Sequence, residues 1–273
     1  MERNLQDFIV VSDMDGTLLK AGIGVPEENR RAVADFAAAG GRFTIATGRH
    51  HPSALRYLSQ VDISAPAILN NGALIYDYAA DRPLRERFLP QPAARQVLAA
   101  AIAAFGGIGA EIMCEKKIYV VKNNAITHRH TSVDRLKYIV TDVENIPQNW
   151  YKILFCLPPA QVQPLCDHLQ AQNIPGVYYV RTGEDYLEVM AEGVDKGEAL
   201  HDLAGLLGLG QDGTIAIGDY YNDLQMLRAA HFSVAMQEAP DDIKVEADMV
   251  TGPCLEGGVA QFLSYLQRNY TQL

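Results

Sequence analysis

Both ends of the chain alternate short apolar runs with helical segments, and this alternation restricts the fold more than any other feature. Near the N-terminus, "FIVVSD" predicts a buried strand, "PEENRRAVADFAAAGG" a helix and "RFTIATG" the next strand. The rhythm returns in the last third of the sequence, where "GTIAIGD" and "FSVAM" have the pattern of strands. We therefore predict one α/β domain with a parallel sheet, built from both ends of the chain.

The middle of the sequence breaks this rhythm. From residue 81 to residue 188, strand-like runs such as "YKILFCLPP" mix with helical segments such as "PAQVQPLCDHLQAQ" without regular alternation. We predict that residues 1–80 and 189–273 form the core domain and that residues 81–188 form an inserted α+β module. Within that module, we expect "THRHTS" to be an exposed strand and not a metal site, because His128 and His130 lack a third ligand nearby.

Polar side chains follow the predicted core strands at the points where the strands end. In an open parallel sheet, ligands bind beyond the carboxyl ends of the strands, where the strand order reverses. Lys196 lies in the first turn of the helix that starts at Asp195. We expect the following residues to meet at this edge: Asp13, Asp15, Thr47, Gly48, Lys196, Asp219, Asn222 and Asp223.

Three of these carboxylates, Asp13, Asp219 and Asp223, would repel one another at close range unless a cation lay between them. Oxygen ligands of this kind favour magnesium. Taken alone, "GDYYND" is better explained by an Asx turn and a helix N-cap. Combined with the carboxylate that follows another core strand, Asp13, the segment "GDYYND" predicts a magnesium site. A lysine in the first turn of a helix is mildly unfavourable, so Lys196 is expected to have an anionic partner.

The spacing of Asp13 and Asp15 suits phosphoryl transfer in two steps. A carboxylate can attack phosphorus to form an aspartyl-phosphate, and an acid two residues on can protonate the leaving alkoxide and then activate water. We assign the first task to Asp13 and the second to Asp15. Thr47 and Gly48 offer a hydroxyl and a backbone N–H to a phosphate oxygen.

Four segments in order, "DMDGT", "TIATGR", "GVDKGEAL" and "GDYYNDLQML", resemble the motifs of the haloacid dehalogenase superfamily. The whole chain resembles the Cof-type sugar-phosphatase branch of that superfamily, including the segment "NNGALI". The resemblance implies an α/β fold with a Rossmann-like core and an inserted α/β cap of the C2 type. It also implies hydrolysis of phosphate monoesters with Mg²⁺ as the cofactor.

The resemblance also implies a role for each matching residue. Asp13 would be the nucleophile and Asp15 the general acid and base. The metal ligands would be Asp13, Asp15 through its main-chain carbonyl, Asp219 and Asp223, and the phosphate would be bound by Thr47, Gly48, Lys196 and Asn222. Two alternatives stay open: a phosphomutase or phosphotransferase that uses the same intermediate, and a non-catalytic binding module. The latter would be expected to lack the nucleophile or a metal ligand, and each of those residues is present.

Composition restricts the partners and the location. A formal net charge of -10 and a pI near 5.1 argue against a nucleic-acid partner. The N-terminus lacks the apolar region of a signal peptide, and no apolar run approaches the roughly 20 residues that span a bilayer. The four cysteines have no C-x-x-C spacing that would indicate zinc or disulfides. We expect a cytoplasmic protein that does not associate with membranes. Its expected partner is a small phosphorylated metabolite, and the sequence does not indicate its oligomeric state.

Overall fold

The computed structural model describes residues 4–114, 116–133 and 136–272. The outermost residues of the predicted core, 1–3 and 273, lie outside the described residues. The chain divides into two compact units. The first comprises Met1–Arg49, Ala54–Arg85 and Asp195–Leu273, and the second comprises His50–Ser53 and Glu86–Val194. The predicted junctions, after residues 80 and 188, lie a few residues before these boundaries.

The helices and strands are as follows, in chain order. The N-terminal third contains β1 (Ile9–Ser12), α1 (Glu27–Ala38), β2 (Arg42–Ile45), α2 (His51–Leu58), β3 (Ala67–Leu69), β4 (Leu74–Asp77) and β5 (Arg82–Glu86). The middle contains α3 (Gln91–Ala104), β6 (Gly109–Cys114), β7 (Lys117–Lys122), α4 (Ala125–Val133), β8 (Tyr138–Val140), β9 (Trp150–Cys156), α5 (Pro159–Ala171), β10 (Val177–Arg181) and β11 (Tyr186–Ala191). The C-terminal part contains α6 (Lys196–Leu206), β12 (Thr214–Gly218), α7 (Leu224–Ala229), β13 (Phe232–Ala235), α8 (Asp241–Lys244), β14 (Met249–Val250) and α9 (Gly258–Asn269).

A five-stranded parallel sheet with the order β14-β13-β12-β1-β2 forms the centre of the first unit. All four residues of β1 are buried, which explains why residues 9–11 form an apolar run without alternation. The chain leaves β1 towards β2 on one side, whereas β12 leads to β13 on the other side. The order of strands therefore reverses between β1 and β12, where a ligand site is expected. The predicted parallel α/β core is confirmed.

A short hairpin follows the second helix of this unit. Strands β3 and β4 pair antiparallel, and the tight turn Asn70–Gly72 joins them. An isolated parallel bridge between Ala46 and Ile68 connects β3 to the end of β2. The segment "NNG" therefore forms the turn of a hairpin, and this turn lies next to the end of a core strand.

The second unit contains a six-stranded sheet with the order β10-β11-β9-β6-β7-β8. Its neighbouring strands are antiparallel except for β7 and β8, which are parallel. Helices α3 and α5 contact each other and strands of this sheet, and α4 contacts β6. This composition agrees with the predicted α+β module. Within the described part of the chain, no helix is both long enough and apolar enough to cross a bilayer.

The prediction of a strand at "THRHTS" was wrong, because these residues belong to helix α4. Asn124 starts the helix: its Oδ1 accepts the backbone N–H groups of Ile126 and Thr127 at 3.0 and 2.8 Å. Residues two apart on a helix do not face the same way, so His128 and His130 do not form a pair. The capping asparagine was the local signal for a helix here.

Candidate active site

Three carboxylates come together at the carboxyl ends of β1 and β12. Asp13 directly follows β1, Asp219 directly follows β12, and Asp223 ends the short turn Tyr221–Asp223. One oxygen of each side chain lies within 4.8 Å of the others. Asp13 and Asp223 are buried, and Asp219 is half-buried. The reversal of strand order has therefore brought distant parts of the sequence into one acidic cluster.

Lys196 neutralises part of this negative charge. Its side chain is fully buried, and its Nζ donates to Oδ1 of Asp13 and to Oδ1 of Asp223, both at 2.6 Å. Burial alone would lower the pKa of Lys196, but the two carboxylates raise it above the usual value for lysine. The side chain is therefore an ammonium. Asp195, the N-cap of α6, holds the start of the helix by accepting two backbone N–H groups from the first turn.

One ammonium does not balance three carboxylates. Burial raises the pKa of Asp13 well above its usual range, with Lys196 opposing this rise and the neighbouring carboxylates adding to it. Burial, together with the nearby Asp223, raises the pKa of Asp219 to about 7. The cluster therefore lacks positive charge, and its donors are all carboxylate oxygens, the chemistry that a hard divalent cation prefers. Asp13, Asp219 and Asp223 fit such a cation.

The loop after Asp13 holds Asp219 in place. The Thr17 hydroxyl donates to Oδ1 of Asp219 at 2.6 Å. Gly16 has a φ of +91°, and a Cβ atom there would lie 2.5 Å from Oδ2 of Asp219. The glycine is required both by its backbone conformation and by the close approach of the carboxylate. The segment "DGT" thus orients a metal-ligand candidate from the far end of the chain.

Asp15 is exposed, and its carboxylate is bound by Arg49. The guanidinium donates from Nε to Oδ2 at 2.6 Å and from Nη2 to Oδ1 at 2.7 Å. The same guanidinium lies over the ring of Tyr57, 4.6 Å from its centroid. The Asp15 side chain is not one of the cluster of three carboxylates.

The remaining predicted site residues are linked by Asn71. The backbone N–H of Asn71 donates to the carbonyl of Thr47 at 2.9 Å. A Cβ atom at Gly48 would lie 3.1 Å from Nδ2 of Asn71. The Asn222 side chain donates from Nδ2 to Oδ1 of Asn71 at 3.2 Å. Thr47, Gly48 and Asn222 therefore meet through a residue to which the sequence analysis assigned no role.

Two residues with no role assigned from the sequence, Arg49 and Asn71, contact predicted site residues. Arg49 directly follows Thr47 and Gly48 at a strand end, and a cation at that position was the available signal. Asn71 precedes Gly72, and an asparagine-glycine pair in a sequence indicates a hairpin turn without pointing to a functional site.

Comparison with known proteins identifies the family. A family model described as haloacid dehalogenase-like hydrolase matches residues 10–263. The chain belongs to this family. The match confirms the resemblance that the four motifs carry. The matched range contains every predicted site residue.

Two curated relatives are phosphatases and match over nearly their whole length. The pyridoxal phosphate phosphatase YbhA of Escherichia coli (strain K12) is 25% identical over 277 residues, with 93% of this chain and 97% of the relative covered. The 5-amino-6-(5-phospho-D-ribitylamino)uracil phosphatase YitU of Bacillus subtilis (strain 168) is 25% identical over 267 residues, with 94% and 96% covered. Together with the family match, these relatives confirm the predicted enzyme class, a phosphoric monoester hydrolase.

Solved structures share the fold. A haloacid dehalogenase-like hydrolase from Bacteroides thetaiotaomicron has a TM-score of 0.85 at 22% identity, with 95% of this chain and 99% of that chain covered. The HAD subclass IIB sugar phosphatase BT4131 has a TM-score of 0.80 at 23% identity, with 95% and 99% covered.

Proposed function

We propose that this protein is a magnesium-dependent phosphatase of small phosphorylated metabolites, with sugar phosphates as the first candidates. The observation that carries the proposal is the environment of Asp13. Its buried carboxylate lies between the Lys196 ammonium and two further carboxylates, at the reversal of strand order. A nucleophilic carboxylate there would approach the phosphorus of a dianion only if positive charge were held beside it.

The chemistry divides between Asp13 and Asp15. A carboxylate oxygen of Asp13 attacks phosphorus, the bond from phosphorus to the leaving oxygen breaks, and Asp15, which enters this step as the protonated acid, gives that oxygen its proton. Water then attacks the phosphorus of the aspartyl-phosphate, and Asp15 accepts a proton from it. Inorganic phosphate leaves and Asp13 is regenerated. Lys196, which donates to Oδ1 of Asp13, would fix the nucleophile and lower the charge facing the phosphoryl group.

The pairing of Asp15 with Arg49 sets a condition for this scheme. Both carboxylate oxygens of Asp15 accept hydrogen bonds from the guanidinium. For Asp15 to reach the leaving oxygen, at least one of these two bonds has to open. We propose that the substrate brings this about, because a phosphoryl group is an alternative acceptor for the guanidinium.

The ligands we propose for Mg²⁺ are Asp13, Asp219 and Asp223, with the main-chain carbonyl of Asp15. When bound, the ion would supply the positive charge that the cluster lacks and would stabilise the charge that develops on the phosphoryl oxygens. Thr47, Gly48 and Asn222 are proposed to bind the remaining phosphate oxygens. The inserted module, residues 81–188, is proposed to act as the cap that selects the leaving group, in a cytoplasmic enzyme.

The relatives support the proposed substrate class. Their names give pyridoxal phosphate and a phosphoribitylamino uracil as substrates, both small phosphorylated molecules. A panel of phosphorylated metabolites, assayed for free phosphate after removal of metal with EDTA and return of Mg²⁺, tests the proposal. We expect activity to disappear with EDTA and to return with Mg²⁺. Full activity in EDTA after exhaustive dialysis would contradict the metal requirement.

The same assay separates a phosphatase from a phosphomutase or phosphotransferase. A phosphatase releases one phosphate for each leaving group, whereas a transferase returns the phosphoryl group to an acceptor. Loss of substrate without release of phosphate would favour the transferase.

A further inference from the structure

The turn Asn70–Gly72 has an unusual backbone. Three successive residues, Asn70, Asn71 and Gly72, have φ values of +50°, +52° and +100°. Positive φ is ordinary for glycine but uncommon for other residues, and two such asparagines in a row carry a conformational cost that the surrounding structure must offset. Both asparagines are buried.

The turn contacts three separate segments of the active site. The backbone N–H groups of Asn70 and Asn71 donate to the carbonyls of Arg49 and Thr47, at 3.0 and 2.9 Å. A Cβ atom at Gly72 would lie 2.2 Å from the carbonyl oxygen of Asp195, so the turn lies directly against the start of α6. The side chain of Asn71 accepts the hydrogen bond from Asn222. The strained turn is therefore a common support for three site segments that are far apart in sequence.

We propose that Asn71 is a positioning residue that orients the Asn222 side chain for the phosphoryl group. A side-chain amide has two N–H donors and one carbonyl acceptor. Because Oδ1 of Asn71 takes one N–H of Asn222, the rotation of that amide is fixed, and its other N–H is directed elsewhere. This inference rests on the proposed function, which assigns Asn222 to the phosphate.

The residue type at position 71 distinguishes a role in orienting Asn222 from a role in the turn alone. If position 71 served only the turn, glycine would be at least as good, because glycine adopts positive φ without cost. A buried asparagine satisfies the same backbone requirement and adds an acceptor for Asn222. Asn71→Gly therefore removes the positioning contact while keeping the backbone conformation.

The test measures the cost of Asn222→Ala in three backgrounds. In the wild-type background we expect kcat/KM for an aryl phosphate to fall about 100-fold, as when one donor to a transition state is removed. In the Asn71→Gly background, Asn222→Ala should cost no more than about 3-fold, because the orienting contact is already lost. In the Asn71→Asp background the acceptor remains, so the cost should stay near the wild-type value. The added charge of the aspartate is present in both Asn71→Asp and the double variant with Asn222→Ala, so its effect cancels in their ratio.

Two results would overturn the proposal. One is wild-type kcat/KM in Asn71→Gly. The other is an unchanged cost of Asn222→Ala in the Asn71→Gly background, which means that the two residues act independently. If Asn71→Gly does not fold, Asn71→Ser replaces it in the same comparison, since its shorter side chain does not reach Asn222.

A matched control comes from Asn173, which follows α5 in the second unit and has a φ of +47°. Asn173→Gly makes the same chemical change at another left-handed asparagine, and we expect unchanged kcat/KM. Thermal melting of each variant checks folding. If the proposed function is wrong, the wild-type enzyme releases no phosphate. If only the role of Asn71 is wrong, the wild-type enzyme still hydrolyses the substrate, and Asn222→Ala lowers kcat/KM equally in the wild-type and Asn71→Gly backgrounds.

Discussion

Replacing Lys196 with methionine removes the ammonium between Asp13 and Asp223 and keeps most of the side-chain volume. The lysine side chain is 0% exposed and donates to both carboxylates at 2.6 Å, so solvent does not screen the interaction. Loss of one partner from a buried ion pair costs about 3–5 kcal/mol, because the remaining charge is left without compensation. With two carboxylates left behind, we expect the upper part of this range, about 4–5 kcal/mol, for the metal-free protein at pH 8.

The loss of stability should depend on pH. The pKa of Asp13 is already raised by burial, and Lys196 is the group that opposes the rise. Without the lysine, the pKa of Asp13 rises further. An acid whose pKa is raised by folding contributes stability at low pH and loses that contribution as the pH passes through the folded-state pKa. Lys196→Met should therefore be less destabilising at pH 5 than at pH 8, and Mg²⁺ should reduce the loss at pH 8.

Urea unfolding in EDTA at the two pH values measures this effect. The control is Lys244→Met, which breaks a solvated pair with the 99% exposed Asp241. We expect a change of about 0.5 kcal/mol or less for this control, since surface ion pairs contribute little. A destabilisation by Lys196→Met below about 1 kcal/mol at pH 8, or one equal at both pH values, would refute the reasoning from burial.

Three further predictions concern the cation and the residues that hold its ligands. Because the pKa of Asp219 is raised to about 7, Mg²⁺ has to displace a proton below that pH. Its apparent affinity, measured by calorimetry, should fall at least about tenfold per pH unit between pH 7 and pH 5, since Asp13 also has a raised pKa. Constant affinity over this range would argue against Asp219 as a ligand. Thr17→Val should weaken Mg²⁺ binding about 10-fold, since the hydroxyl that orients Asp219 is lost, and unchanged affinity in the same titration would show that the contact is dispensable. Gly16→Ala should reduce Mg²⁺ affinity and turnover far more than the control Gly22→Ala. Gly22 has a φ of +81°, and no atom lies within 4 Å of a Cβ added there. Equal effects of the two substitutions would assign the loss to backbone strain alone.

The sequence predicted the core well, because burial dictates it directly. A parallel strand that is covered on both faces contains consecutive apolar residues, as in residues 9–11 of β1 and residues 215–217 of β12. Carboxylates that follow such strands are costly to bury without a ligand. Asp13, Asp219 and Asp223 could therefore be named before their proximity was known.

Features that depend on tertiary partners were harder to predict. Strand β6 contains Glu111, which is fully buried, whereas a charged residue in a sequence usually indicates an exposed position. Its carboxylate is paired with Nδ1 of His130 at 2.9 Å, on a helix that had been predicted as a strand. The roles of Arg49 and Asn71 depend in the same way on partners distant in sequence, Asp15 and Asn222. Local patterns do not contain such pairings.

The central claim is that Asp13 becomes phosphorylated, and the Asp15→Asn variant tests it most directly. An aryl phosphate with a good leaving group needs little protonation, so it should still phosphorylate Asp13, whereas attack by water on the intermediate lacks its base. Rapid-quench analysis should show a burst of released phenol equal to the enzyme concentration, then slow turnover. Mass spectrometry should find one phosphoryl group on the peptide that contains Asp13, and none in the Asp13→Asn variant. No burst with Asp15→Asn, or a phosphoryl group on another residue, would contradict the account.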